Sequence, residues 1–222
     1  MQNVVLITNQ KFSKTVVLDI GSFNLALKQT MGREEEYSYK NGSVFFFLQQ
    51  GNAKISNEFY SSDVLPGMYF SQKAPVKIKL DQNSKAVIIE INFYSCLNMV
   101  GGPIEPTGRL NYINGCSDTL LISPSRLGEP CLNLLHFPKN TNQTSHYHPS
   151  FRFGIVVSGH GESVSEDRSQ KLNIGDCFFI PALVAHKFNT YGESMNVIAF
   201  HPDTDWGPTD EVHPMKNRTI FT

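Results

Sequence analysis

His146 and His148, with one residue between them, are a pair whose type and spacing could do chemistry. Successive side chains of a β-strand point to opposite faces, so imidazoles at i and i+2 share a face and can reach one metal ion, while Tyr147 points away. Two imidazoles do not complete a site. The third donor expected is His186, which follows Pro181 on a separate apolar run. Imidazole nitrogens suit Fe, Zn, Cu, Ni or Mn, and geometry with availability decides among them. All seven histidines lie between His136 and His213, which confines any such chemistry to the second half of the chain.

The remaining histidines read as ordinary polar residues. His136 sits in the run Leu132–Phe137 and is expected to pack or to line a rim. His160 falls in a glycine turn and should be exposed, while His201 and His213, each followed by proline, read as loop residues. Glu162 lies beyond that turn and reads as a solvated hairpin residue, not a ligand. Cys177 reads as a buried inert thiol that could face His186. Phe151, Phe153, Phe178, Phe179 and Phe188 read mostly as core. Trp206, the lone tryptophan, is expected to dock from a turn-rich tail onto a β surface. The run Glu34-Glu35-Glu36 reads as a solvated turn or helix start.

Positioning such a site requires a rigid frame, and the apolar pattern supplies one. Short β-rich runs at Thr15–Ile20, Val44–Leu48, Val76–Leu80, Ala86–Phe93, Leu132–Phe137, Phe153–Val157, Cys177–Ile180 and Asn196–Phe200 alternate with Gly, Pro, Asn, Asp and Ser. Runs of this length between turn signals predict strands of a sandwich or barrel, with little helix. Sliding the chain by 108 residues puts Gly51 on Gly159, Gly67 on Gly175 and Ser43–Gln49 on Phe151–Val157. This echo predicts a duplicated β unit. The same shift sets Ser38, Lys40 and Ile78 against His146, His148 and His186, so the first copy reads as the fold without the site.

A formal net charge of −1 with both signs dispersed gives no basic surface for nucleic acid or anionic membrane. The partner expected is a small neutral or anionic molecule. The four cysteines have no C-x-x-C pair and read as reduced thiols, which suits a cytoplasmic protein. Neither a secretory signal nor an apolar run long enough to span a bilayer is apparent.

The spacing His146-x-His148 with Gly159 eleven residues on, followed by Gly175, Pro181 and His186, resembles the cupin superfamily. That family's first motif is G-x5-H-x-H-x3-4-E-x6-G and its second is G-x5-P-x-G-x2-H-x3-N. The resemblance covers His136 to Phe200 closely and, through the echo, most of the chain loosely. It implies an all-β chain with two jelly-roll-like barrels. Residues 1–100 would form a first barrel lacking metal ligands, 101–130 a connection, and 131–222 a second barrel with the site and tail. A homodimer and a monomer are both compatible with such a fold.

The departures from the family pattern bear on function. Arg152 stands where the family usually has its glutamate ligand, with Phe153 at the other allowed offset; Leu183 replaces the second motif's glycine, and Thr190 its asparagine. Three neutral histidines leave a divalent ion its full charge of about +2, and a nearby guanidinium raises the local charge to about +3. Such a pocket favours an anionic, chelating ligand held by metal and Arg152 together. The resemblance implies a metal-binding cupin, with an Fe(II)-dependent dioxygenase as the first expectation. A non-catalytic ligand-binding or scaffold cupin, and a sugar or keto-acid isomerase, are the alternatives.

Overall fold

The computed structural model describes residues 5–7, 16–20, 23–30, 32–92, 94–166, 168–216, 218–220 and 222. Thr15 and Phe93, which end two of the expected runs, lie outside them. Within the described residues the chain is nearly all strand, with two single 3-10 turns at Ile113–Gly115 and Pro214–Lys216. The first half holds β1 (Val5–Ile7), β2 (Val16–Ile20), β3 (Phe23–Gln29), β4 (Glu35–Tyr39), β5 (Ser43–Gln50), β6 (Ala53–Ser56), β7 (Ser61–Val64), β8 (Tyr69–Lys73), β9 (Val76–Leu80), β10 (Lys85–Ile91) and β11 (Met99–Gly101). The second holds β12 (Leu110–Asn111), β13 (Ser117–Ile122), β14 (Cys131–Phe137), β15 (Arg152–Gly159), β16 (Gly161–Ser165), β17 (Arg168–Leu172), β18 (Cys177–Ile180), β19 (His186–Asn189) and β20 (Met195–His201).

These strands make two antiparallel jelly-roll-like barrels, each a large sheet facing a small one without closing into a continuous ring. The first barrel sets β11-β8-β5-β10-β3-β2 against β4-β9-β6-β7; the second sets β1-β18-β15-β20-β14-β13-β12 against β17-β16-β19. Three strands depart from a simple halving of the chain. Strand β1 pairs with β18, placing Val5 opposite Phe179, and β12 and β13, inside the stretch 101–130, extend the larger sheet of the second barrel. Glu35 and Glu36, expected in a turn or helix start, open strand β4 instead.

The apolar runs are near-continuous because both faces of each large sheet are covered. Along β5, Val44, Phe46 and Leu48 turn into the first barrel beside Ile55 and Ile78. Phe45 and Phe47 turn the other way, into a layer shared with Phe153, Ile155, Ile198 and Phe200 of the second barrel. Val156, Val197, Ala199 and Phe188 then fill the second barrel's interior. Period-two alternation thus sorts one run into two cores.

The 108-residue echo recurs in the hydrogen bonds. Gly67 N donates to Leu48 O at 2.8 Å, and Gly175 N donates to Val156 O at 2.7 Å. Leu48 N to Met68 O and Val156 N to Asp176 O are both 3.0 Å. At Gly159, with φ 67°, an added Cβ would lie 1.7 Å from Ser194 O; at Gly51, with φ 80°, it would lie 2.3 Å from Ser84 Oγ. Glycine is required at both turns by the approach of a corresponding segment, the one that leads into β10 in the first barrel and into β20 in the second.

Leu183 occupies the turn between β18 and β19 with φ 62°, a left-handed conformation that costs a side-chain-bearing residue about 1 kcal/mol. Its N–H donates to His148 O at 2.8 Å, which ties the two histidine-bearing segments together. The Leu183 side chain is 67% exposed, so replacing it loses little burial. Leu183→Gly should therefore raise stability by up to about 1 kcal/mol in urea denaturation; a loss of stability would show that the side chain contributes something the geometry does not reveal. Phe200 is 1% exposed and meets Phe45 and Phe23 edge-on with ring centroids 5.7 and 5.9 Å apart. Phe200→Ala should cost about 3–5 kcal/mol in the same assay, whereas a cost below about 1 kcal/mol would mean that the layer between the barrels contributes little.

Candidate metal centre

His146 and His186 face each other in an isolated antiparallel bridge at one end of the second barrel. His146 N donates to His186 O at 3.0 Å and His186 N returns a bond to His146 O at 2.9 Å. Directly opposed residues of an antiparallel pair project to the same side, so both imidazoles enter the same space. His148, two residues on, projects there as well. Ring centroids are 5.0 Å apart for His146–His148, 4.7 Å for His146–His186 and 5.1 Å for His148–His186. One nitrogen from each ring lies within 4.8 Å of the other two. This is a spacing from which three donors can converge on one ion.

Two of the rings are held by the same local device. Nδ1 of His146 lies 2.9 Å from Thr144 O, and Nδ1 of His186 lies 2.9 Å from Val184 O. A carbonyl only accepts, so both Nδ1 atoms carry the proton and both Nε2 lone pairs are available to a metal. Such anchoring fixes tautomer and ring orientation before a metal binds. Burial, reinforced by the Arg152 guanidinium and the neighbouring imidazoles, pushes His148 down to about 3. His186 is pushed down to about 4, mainly by burial and partly against its bond to Val184. Both are neutral, as ligands must be, across the physiological range.

A cavity of about 250 Å³ opens onto the three rings. Leu135, Phe137, Phe178, Ile180 and Phe188 make its walls largely apolar, and Arg152 also lines it. Arg152 begins β15, and its side chain is 11% exposed. All its hydrogen bonds leave from Nη1, which donates to Ser150 Oγ at 2.6 Å, Phe151 O at 2.8 Å and Ser150 O at 3.2 Å. Asp203 Oδ1 is 3.9 Å away, and Nε is buried with no partner. The guanidinium of this cavity-lining residue therefore keeps a buried, unsatisfied donor. Among the described residues the clustered donors are three imidazoles with no carboxylate.

Other expectations resolve plainly. Glu162 bonds Ser169, Asn189 and Tyr191 on the outer hairpin, away from the rings. His136 pairs with Asn196 at 2.7 Å, His160 with Glu193 at 3.2 Å, and His213 is exposed. Cys177 is fully buried in the layer between the barrels, not beside His186, and burial pushes its thiol up to about 12. Trp206 remains 59% exposed, so most of its surface is left uncovered.

His201 corrects the loop expectation. It closes β20, lines the cavity and lies 6.5 Å from His148 between ring centroids. Burial, then Arg152 and His148, hold it well below the usual histidine range. Continuing the alternation from Val197 and Ala199 would have placed it inward despite Pro202. Tyr112, Asp118 and Asn133 also line the cavity. No local signal marks them, because the register of β12 through β14 alone brings them there.

Residues 133–201 match the cupin domain family model, a segment that contains all three histidines, Arg152 and His201. An uncharacterized protein, y4oW, of Sinorhizobium fredii is 37% identical over 46 residues, a match spanning 21% of each chain. Among solved structures, protein Ylba of E. coli superimposes with TM-score 0.70 at 14% identity, covering 93% of both chains. A cupin 2 conserved barrel domain protein of Leptotrichia buccalis gives 0.63 at 16% identity, covering 90% of this chain and 89% of that one. A salicylate 1,2-dioxygenase of Pseudaminobacter salicylatoxidans gives 0.65 at 11% identity over 85% of this chain and 76% of that one. Residues 133–201 are thus similar to the cupin domain, and the two-barrel fold of the chain is the one that these structures share.

Proposed function

We propose that His146, His148 and His186 hold a divalent transition metal, Fe(II) ahead of Mn, Ni, Cu or Zn, and that Arg152 receives the anionic end of a small chelating substrate. The observation that carries this reading is one cavity holding three converging imidazoles and a guanidinium with a buried, unpartnered Nε. The donor set fits the group, since neutral imidazoles suit first-row metals and their orientation is already fixed. A bound ferrous ion would supply open coordination positions for O₂ and substrate.

The chain's own residues supply the rest. Apolar walls exclude water and so strengthen attraction between Arg152 and a carboxylate, enolate or catecholate. The Nη1 bonds to Ser150 and Phe151 hold the guanidinium in place without reorganisation. Dioxygenation is the reaction class we favour, with the shared fold of a salicylate 1,2-dioxygenase as fold-level support only. A ligand-binding cupin without turnover is the second reading, favoured by the absent carboxylate ligand and by a first barrel filled with Ile55, Ile78 and Leu80. The four cysteines are unpaired and buried, which supports a reducing, cytoplasmic setting. No helix among the described residues is long and apolar enough to cross a membrane.

Anaerobic loading with Fe(II) should give about one ion per chain by elemental analysis, and His146→Ala with His186→Ala should abolish it. Retention of stoichiometric metal in that double variant would remove the proposed site. Fe(II)-dependent O₂ uptake with a carboxylate substrate separates the dioxygenase from the non-catalytic reading. Arg152→Glu should restore a carboxylate beside the imidazoles, tightening metal binding while weakening benzoate binding by about tenfold or more; unchanged benzoate affinity would rule out the guanidinium as the anion contact. The metal-free protein should also be acid-sensitive. His148 and His186 titrate lower when folded than the unfolded value of about 6.5, so the unfolded chain takes up protons first as pH falls. Stability should fall from about pH 6.5 towards pH 3–4 in calorimetry, and His148→Gln with His186→Gln should flatten that slope.

A further inference from the structure

Beyond the anion end of the cavity, a second polar group waits at its other side. Asp118 lies on β13 and Arg152 on β15, separated in the same sheet by β20 and β14. Three strand spacings put about 14 Å between their backbones. Both side chains line the cavity, and no ion pair joins them; Arg152 has Asp203 as its salt-bridge partner. Asp118 Oδ2 accepts a bond from Asn133 Nδ2 at 2.7 Å, while Oδ1 has no hydrogen-bond partner among the described residues. Asn133 Oδ1 accepts from the Cys131 thiol at 3.2 Å, so both ends of the amide are engaged and the carboxylate is held through Oδ2.

The backbone around Asp118 is also fixed. Leu110 on the edge strand β12 pairs opposite Asp118, and Arg109 N donates to Asp118 O at 2.9 Å. An added Cβ at Gly108 would stand 2.3 Å from Asp118 N, so only glycine admits this close approach. Burial raises the Asp118 carboxyl above its ordinary value, against the Asn133 bond.

We propose that Asp118, oriented by Asn133, is a specificity-determining residue that accepts a hydrogen bond from a hydroxyl or amino group at the end of the substrate remote from its carboxylate. This rests on Arg152 binding the anionic end. The substrate class narrows accordingly, from any small chelating anion to one that carries a donor at its far end. Purely apolar tails would leave the Asp118 oxygen desolvated and unpaired, which is the stronger form of discrimination.

Calorimetric titration of the metal-loaded protein with benzoate, 3-hydroxybenzoate and 4-hydroxybenzoate tests this. One of the hydroxylated probes should bind at least about tenfold more tightly than benzoate. Asp118→Asn keeps an oxygen for Asn133 and turns a donor towards the cavity, so the hydroxyl preference should vanish while benzoate, relieved of a like charge, binds no more weakly. Asp118→Leu, with folding checked by circular dichroism, should behave likewise. Benzoate binding with no hydroxyl preference, or a preference that survives both variants, overturns the role of Asp118 and leaves the Arg152 site standing. Failure of all three probes to bind the loaded wild-type chain overturns the anion site, and the Asp118 proposal with it.

Discussion

The peptide groups of His146 and His186 hydrogen-bond each other in both directions, and this small piece of ladder sets the spacing of two imidazoles independently of any ion. Backbone bonds of this kind are short and directional, so the side chains above them inherit a separation that rotamer changes alone could not hold. His148 is bound to the same frame through its carbonyl, which accepts from Leu183 N. The anchors from Nδ1 to Thr144 O and Val184 O then remove ring rotation from two of the three groups. What a metal would otherwise have to organise is organised by main-chain bonding, and that bonding rests on the second barrel's apolar interior.

How much of this was legible depends on whether the signal was local. The pairing of His146 with His148 follows from β alternation alone, and His186 from the spacing of Gly175 and Pro181. The echo at 108 residues was legible because turns that demand glycine recur, and the structure shows equivalent hydrogen bonds at both copies. His201 was missed because Pro202 suggested a loop, although proline constrains only the residues around it and the strand runs up to it. Asp118, Asn133 and Tyr112 were illegible for a different reason. They converge through the register of strands distant in sequence, which a single chain does not encode in any short pattern. The exposed Trp206 was misjudged because size and apolarity favour burial without requiring it.

Arg152 changes the electrostatic logic of the pocket more than any other residue. A carboxylate at that position would offset metal charge and complete the ligand set; a guanidinium adds charge and leaves coordination to the ligand. The cost is visible in the structure as a buried Nε with no partner, and the guanidinium adds to the effect of burial in holding His148 and His201 well below the usual histidine range. Burying a cation beside three potential ligands is unfavourable unless an anion arrives to share it. The first barrel, which has no histidine, provides the contrast. There Tyr37 and Ser38 face Ile78 and Lys77 across the equivalent strand pair, and apolar side chains fill the interior.

Strand β1 pairs with β18, although the paired residues Val5 and Phe179 lie far apart in the sequence. During synthesis the segment that includes Val5–Ile7 emerges well before β18, so its pairing edge does not exist until β18 has been made and has joined β15. The first barrel can form its own two sheets while that segment waits. Closing so long a loop is slow and adds little enthalpy per step, so β1 is placed to dock as a late event. Its docking covers the outer edge of β18, which would otherwise present unpaired peptide groups to another chain. Strand β1 thus acts as a clasp between an earlier-made and a later-made part of the molecule, and shortening it would expose an aggregation-prone edge in the barrel that carries the histidines.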